Sequence, residues 1–158
     1  MIRGVHHVAV ATGDLDRLIA FYCDQLGFTL LKQGSWEAGS ASVDRIVGLQ
    51  DSAARTAVLR AGNLYLELFQ YLSPPGRPGE PDRPESDHGY THFCLDVTDI
   101  DAEYERLSAA GMRFHSPPPP ASEMRRGDIR ATYGRDPDGN VIELQEILDP
   151  DYPLPMGG

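Results

Sequence analysis

The sequence predicts an α+β fold in which one supersecondary unit is used twice. Each half opens with a strand carrying a histidine, Val5-His6-His7-Val8-Ala9-Val10 and Tyr90-Thr91-His92-Phe93-Cys94-Leu95. Each half closes with a turn feeding an apolar strand that holds one carboxylate. The turn Ala61-Gly62-Asn63 precedes Leu64-Tyr65-Leu66-Glu67-Leu68-Phe69, and Asp136-Pro137-Asp138-Gly139-Asn140 precedes Val141-Ile142-Glu143-Leu144. The spacing agrees with a duplication. His7 and His92 lie 92 − 7 = 85 positions apart, and the same offset sets Gly4 on Gly89, Asp14 on Asp99, Leu15 on Ile100 and Asp16 on Asp101. Glu67 and Glu143 differ by 143 − 67 = 76, so the second half has the shorter middle. Two copies of so long a period do not make a solenoid.

The elements follow in order. A first strand covers roughly residues 4–11. Asp14 is suited to cap a helix running to about Gln25, with Leu15, Leu18, Ile19, Tyr22 and Leu26 at helical spacing and Gly27 behind it. Phe28 to Lys32 reads as a strand. Residues 34–53 form an excursion of weak periodicity with a short helix around Val43–Val47. Thr56–Leu59 and Leu64–Phe69 make a hairpin across Gly62-Asn63. The second half repeats the order: a strand over 90–97, a helix over about 99–110 closed by Gly111, a short strand near Arg113, the proline run Pro117–Pro120, and strands near Ile129–Gly134 and Val141–Ile147. The organisation is therefore a first module over 1–72, a connector rich in Pro, Gly and charge over 73–88, a second module over 89–148 and a loose tail over 149–158, together one compact domain.

Composition narrows the function. A chain of 158 residues with 41% hydrophobic and 24% charged residues is ordinary for a globular protein. A net charge of −10 disfavours nucleic acid and anionic membranes as partners. No apolar run reaches the length of a membrane span, and no signal-peptide core opens the chain. Cys23 and Cys94 read as free thiols in a reducing cytoplasm.

Period two along each strand assigns faces. Val8 and Val10, Leu66 and Leu68, Phe93 and Leu95, and Ile142 and Leu144 form apolar faces suited to packing under helices. His7, Glu67, His92 and Glu143 all fall on the opposite face, and this parity selects His7 over His6. A carboxylate inside a half-buried strand calls for a cation or hydrogen-bond donors. Two imidazoles and two carboxylates make a site for a divalent ion such as Zn, Ni, Co, Mn or Fe(II). Tyr65, Phe69 and Cys94 share the ligand face and are candidate pocket walls, to which Trp36 and Tyr133 are added. His6, His88 and His115 are read as packed or solvent-facing, and Asp14 and Asp99 as helix caps. Arg125, Arg126 and Arg130 are read as a solvated surface cluster.

These motifs resemble the vicinal oxygen chelate superfamily, which includes glyoxalase I, methylmalonyl-CoA epimerase, extradiol dioxygenases and the fosfomycin- and bleomycin-resistance proteins. The resemblance rests on His7-Val8-Ala9-Val10 with Asp14-Leu15, on Leu66-Glu67-Leu68, on His92-Phe93-Cys94-Leu95-Asp96-Val97, and on Asp136 through Leu144. It implies two tandem βαβββ modules forming a curved mixed sheet around a central metal, with His7, Glu67, His92 and Glu143 as ligands. Glyoxalase I-like members use His/Glu/His/Glu, epimerase-like members have Gln where this chain has Glu67, and extradiol dioxygenases use two His and one Glu around iron(II). The resemblance is closest to glyoxalase-like members. It implies a metal-dependent lyase or isomerase acting on a small substrate with vicinal oxygens, by proton abstraction with Glu143 or Glu67 as base and stabilisation of an enediolate or enolate. An extradiol-type dioxygenase and a non-catalytic, bleomycin-resistance-like binding protein are the alternatives, and a homodimer is the expected assembly.

Overall fold

The computed structural model describes residues 1–125 and 127–154, and the chain divides into two compact units, Met1–Pro78 and Gly79–Gly158. Arg126 and residues 155–158, the end of the expected tail, lie outside the described residues.

In the first unit, β1 (His7–Ala11) leads into α1 (Leu15–Ala20), which runs on as a π-helical turn over Phe21–Gln25. Asp14 caps the helix, its Oδ1 accepting from the Arg17 N–H at 3.1 Å. The apolar stripe buries Leu15, Leu18 and Tyr22 against Leu59, Leu66 and Leu68 of β3 (Ala53–Ala61) and β4 (Leu64–Ser73). Burial of each large side chain stabilises by about 1.5–3 kcal/mol. The strand order β1-β4-β3-β2 is mixed, with β1 parallel to β4 and the other pairs antiparallel.

β2 (Thr29–Trp36) is longer than the alternation of Phe28–Lys32 indicates. It is an edge strand, and residues 29–35 are exposed. Residues with no buried face leave no period-two signal. A register shift between Leu30 and Lys32 also breaks the pattern. The excursion thereby shrinks, and its helix is α2 (Ala41–Val47).

The second unit repeats the plan: β5 (His92–Asp96), α3 (Ile100–Ala109), β6 (Arg113–Phe114), β7 (Ile129–Arg135) and β8 (Val141–Ile147), in sheet order β5-β8-β7-β6. Here β5 runs parallel to β8. Asp99 caps α3 through the Ala102 N–H at 3.2 Å. The helix ends in a Schellman closure, with the Met112 N–H on the Leu107 carbonyl and the Gly111 N–H on that of Ser108. Ile100 and Leu107 are buried, as are Ile142 and Leu144 of β8.

Residues 79–88 join the second unit closely. The Arg135 guanidinium, 8% exposed, donates to the Arg83 carbonyl and to Glu85 Oε1, each at 2.9 Å. Arg130 is also bound into the scaffold. It grips Asp101 with two bonds of 2.6 and 2.7 Å and donates to the Pro118 and Pro119 carbonyls, so it is not the solvated side chain expected for that cluster. The proline run offers acceptors that composition alone did not reveal.

Guanidinium bonds hold Asp16 and Asp101 below the usual carboxylate range, and the Ser52 hydroxyl does the same for Asp44. A depressed folded pKa contributes stability above the unfolded value and loses it as pH falls through the folded value. Melting temperature is therefore expected to stay level from pH 7 to 5 and to fall below about pH 4. Stepped-pH thermal melts check this, and Asp101→Asn should flatten part of the acid limb. A first drop between pH 7 and 5 would assign the sensitivity to histidine instead.

Candidate metal centre

The parallel pairing of β1 with β4 sets His7 opposite Tyr65 and Ala9 opposite Glu67. The pairing of β5 with β8 sets His92 opposite Val141 and Cys94 opposite Glu143. In both sheets the histidine lies opposite the residue two before the glutamate. Paired residues and their period-two neighbours share a face, so the same diagonal brings imidazole and carboxylate together twice. His7 Nε2 is 3.5 Å from Glu67 Oε2, and His92 Nε2 is 3.1 Å from Glu143 Oε2. All four side chains are part-buried or open to solvent, with the second pair more enclosed. Leu66, Leu68, Val141, Ile142 and Leu144 beside the glutamates are buried, which fixes the strands that carry the carboxylates.

The far side of each imidazole is occupied. His92 Nδ1 is 3.0 Å from Thr91 Oγ1, and His7 Nδ1 is 3.0 Å from His6 Nδ1. When Nδ1–H donates to either partner, Nε2 keeps its lone pair on the side of the glutamate. That outward hydrogen bond is the arrangement of metal-ligating histidines. Nitrogen and carboxylate donors of this kind fit a borderline or hard divalent ion. Among the described residues no group of three or more His, Cys, Asp or Glu is gathered to hold an ion, so each unit by itself presents a pair.

The expected wall residues fall on the same faces. Tyr65 and Phe69 lie on the Glu67 face of β4. The Tyr65 ring is 5.0 Å from that of His6. Trp36 pairs with Ala54, which pairs with Tyr71, so all three share that face. In the second unit Tyr133 lies opposite Glu143, with its ring 4.7 Å from that of His92. Burial, then the Glu143 carboxylate, pushes the Tyr133 phenol up. Cys94 also lies opposite Glu143; the residue is exposed, but desolvation by its neighbours, followed by that carboxylate, pushes its thiol up. Both cysteines are free.

Three features have little or no signal in the sequence. Tyr71 continues the Phe69 face and would follow from extending the strand by one period. His115, read as packed or solvent-facing, donates its backbone N–H to the Tyr133 carbonyl. Its ring lies 6.0 Å from that of Tyr133, and its Nε2 is 3.9 Å from Glu85 Oε1. Asp44 and Ser52 form a hydrogen-bonded layer behind Trp36. Neither of these last two has a local sequence signal, because each depends on strand pairing or on a loop returning to the sheet.

Comparison with known proteins agrees with the duplicated geometry. The chain is 33% identical over 149 residues to the Escherichia coli (strain K12) protein YaeR, covering 92% of this chain and 97% of that one. It is 34% identical over 148 residues to a 2-epi-5-epi-valiolone epimerase of Actinomyces sp, covering 89% and 77%. The fold matches a glyoxalase family protein from Bacillus cereus with a TM-score of 0.81 at 24% identity, over 94% of this chain and 97% of that chain. Other relatives are named as lyases or as a glutathione transferase, so enzymes that act on small molecules surround the chain, and the family is typically dependent on divalent metal. No helix among the described residues is long and apolar enough to cross a membrane. The family model for the glyoxalase/bleomycin resistance protein/dioxygenase superfamily matches residues 4–144, and the chain belongs to that superfamily.

Proposed function

We propose that His7, Glu67, His92 and Glu143 are ligands for a divalent metal ion, and that the protein is a glyoxalase-like lyase or isomerase acting on a small substrate with vicinal oxygens. The observation that carries this reading is the same His–Glu diagonal in both sheets, at 3.5 and 3.1 Å. Two unrelated surface ion pairs would have no reason to share a register. The nitrogen and oxygen donors suit Zn, Ni, Co, Mn or Fe(II). When bound, the ion supplies Lewis-acid stabilisation of charge developing on substrate oxygen.

The residues of the chain divide the remaining work. Glu143 takes the proton α to the substrate carbonyl and returns it at the product carbon, with Glu67 as the second candidate base. Glu143 is the more enclosed of the two carboxylates, 17% exposed against 29% for Glu67, which favours it as the base. Tyr65, Phe69 and Trp36 on the Glu67 face of the first unit, and Cys94 and Tyr133 on the Glu143 face of the second, are the side chains placed to orient the substrate.

The deciding experiment is metal analysis of untagged protein purified without chelators, beside a His7→Ala/Glu143→Ala double variant. Near-stoichiometric metal in the wild type, lost in the variant, is expected. Iron with oxygen uptake on a catechol would shift the reading to a dioxygenase. Absence of metal after reconstitution would overturn it in favour of a binding protein.

A further inference from the structure

On the Glu67 face of the first unit, Trp36, Phe69 and Tyr71 meet as an aromatic wall. The Phe69 and Tyr71 rings stack at 14° with centroids 6.0 Å apart, and Trp36 stands edge-on to both, at 6.2 and 6.0 Å. None of the three rings is fully buried. The rings cover Ala54, which is fully buried, yet stay part-exposed themselves, unlike the sealed Leu59, Leu66 and Leu68 of the other face.

Gly34 supplies an independent observation. It lies between Lys32 and Trp36 along β2, opposite Thr56, which is opposite Phe69. Its φ is not in the left-handed region, and a Cβ there would meet only Thr56 Oγ1, at 3.3 Å. Backbone geometry does not demand glycine here, and a glycine inside a strand weakens it. What it provides is room on this face, beside the Phe69 and Trp36 rings. Phe69 is two residues along β4 from Glu67, about 7 Å away, and Gly34 stands two strands across from Phe69, roughly 10 Å further along the same face.

The indole is also held from behind. Trp36 Nε1 donates to Ser52 Oγ at 3.1 Å, and Ser52 Oγ donates to Asp44 Oδ1 at 2.6 Å. Asp44 also accepts from the Ser52 and Asp51 N–H groups, each at 2.9 Å. Ser52 is fully buried. The carboxylate of α2 thus orients the ring through one hydroxyl, and this gives the 37–52 excursion a purpose.

We propose that Trp36, Phe69, Tyr71 and the gap at Gly34 form a slot for a planar, unsaturated or aromatic group of the substrate, attached next to the oxygens that chelate the metal, with Asp44 and Ser52 as positioning residues. This rests on the metal-centre reading above and adds the class of substrate. Flat rings gain most from such walls because they stack without losing rotamer freedom.

Two hydroxamates test it, because both chelate through vicinal oxygens and only one carries a ring. The Zn(II)-loaded full chain is titrated with benzohydroxamate and with acetohydroxamate, following emission of Trp36, the single tryptophan. Benzohydroxamate should bind at least about tenfold tighter and change the emission, with acetohydroxamate leaving it unaltered. Gly34→Val suits a strand and fills the gap, so the ratio of dissociation constants should fall to within about twofold while acetohydroxamate affinity holds. Asp44→Ala should lower the ratio and shift the emission of the free protein. Equal affinities with unchanged emission would overturn the slot and leave the metal centre standing. Failure of both hydroxamates to bind would overturn both readings.

Discussion

Glu143→Gln is expected to keep the fold and to slow metal-supported proton exchange by about 10²–10⁴-fold. Glutamine has nearly the shape of glutamate, and the side chain stands on a strand fixed by buried Val141, Ile142 and Leu144. The substitution removes the carboxylate that approaches His92 Nε2 to 3.1 Å. That pair is part-buried, so its removal should cost no more than about 1 kcal/mol. The amide oxygen can still donate to a metal, but the group no longer accepts a proton. Metal content and exchange should therefore separate, with the ion retained at reduced affinity and exchange nearly abolished. The readout is deuterium entry at the α carbon of hydroxyacetone in D2O, beside metal analysis of the same sample. Glu67→Gln should show a smaller loss. Full exchange in Glu143→Gln with loss in Glu67→Gln would exchange the two roles. A chain that lost metal and exchange in parallel would make Glu143 a ligand with no separate role as base.

The two capped helices and the strands carrying the four proposed ligands were legible because each has a local signature. Asp14 and Asp99 stand just before apolar residues at helical spacing, and the glutamates interrupt runs whose alternate members are buried. What could not be read depends on partners distant in the chain. β2 has no buried face to impose period two, so its last residues, including Trp36, looked like loop. Arg130 looked like a surface cation because its acceptors are carbonyls of a proline run and a carboxylate on α3. His115 is brought to Tyr133 by a strand of two residues. The ligand diagonal itself was accessible as parity, whereas the equality of its register in both sheets needed the pairing of β1 with β4 and of β5 with β8.

Gly139→Ala is expected to be the most damaging single methyl addition in the second unit, costing about 2–4 kcal/mol. Gly139 has φ of +91°, where a side chain is strained. Its Cβ would overlap Pro81 Cα and stand 2.7 Å from the Pro81 carbonyl oxygen. Those are backbone atoms, so no rotamer change relieves the overlap, and the 79–88 segment must move. Arg135 bridges the same two segments, donating to the Gly139 carbonyl at 2.9 Å and to Arg83 and Glu85. Displacing one side leaves a buried guanidinium short of acceptors, which adds the cost of an unmet charged donor. The turn has little freedom to give way. Asp136, 2% exposed, accepts from the Asp138 N–H and from the backbone and side-chain nitrogens of Asn140, at 2.8–2.9 Å. Melting temperature should fall by about 5–15 °C, with urea melts showing a lower midpoint. Gly76→Ala, with no atom within 4 Å of the added Cβ, should stay within about 0.5 kcal/mol of wild type. Pro81→Gly separates backbone from ring as the obstacle. It keeps Cα and the carbonyl, so it should not rescue Gly139→Ala, and a rescue would show that the ring alone was in the way. Because β8 begins at Val141, a turn forced open at Gly139 would also disturb the register that aligns Glu143 with His92. Zn(II) affinity in Gly139→Ala should therefore fall together with stability, although no proposed ligand has been touched.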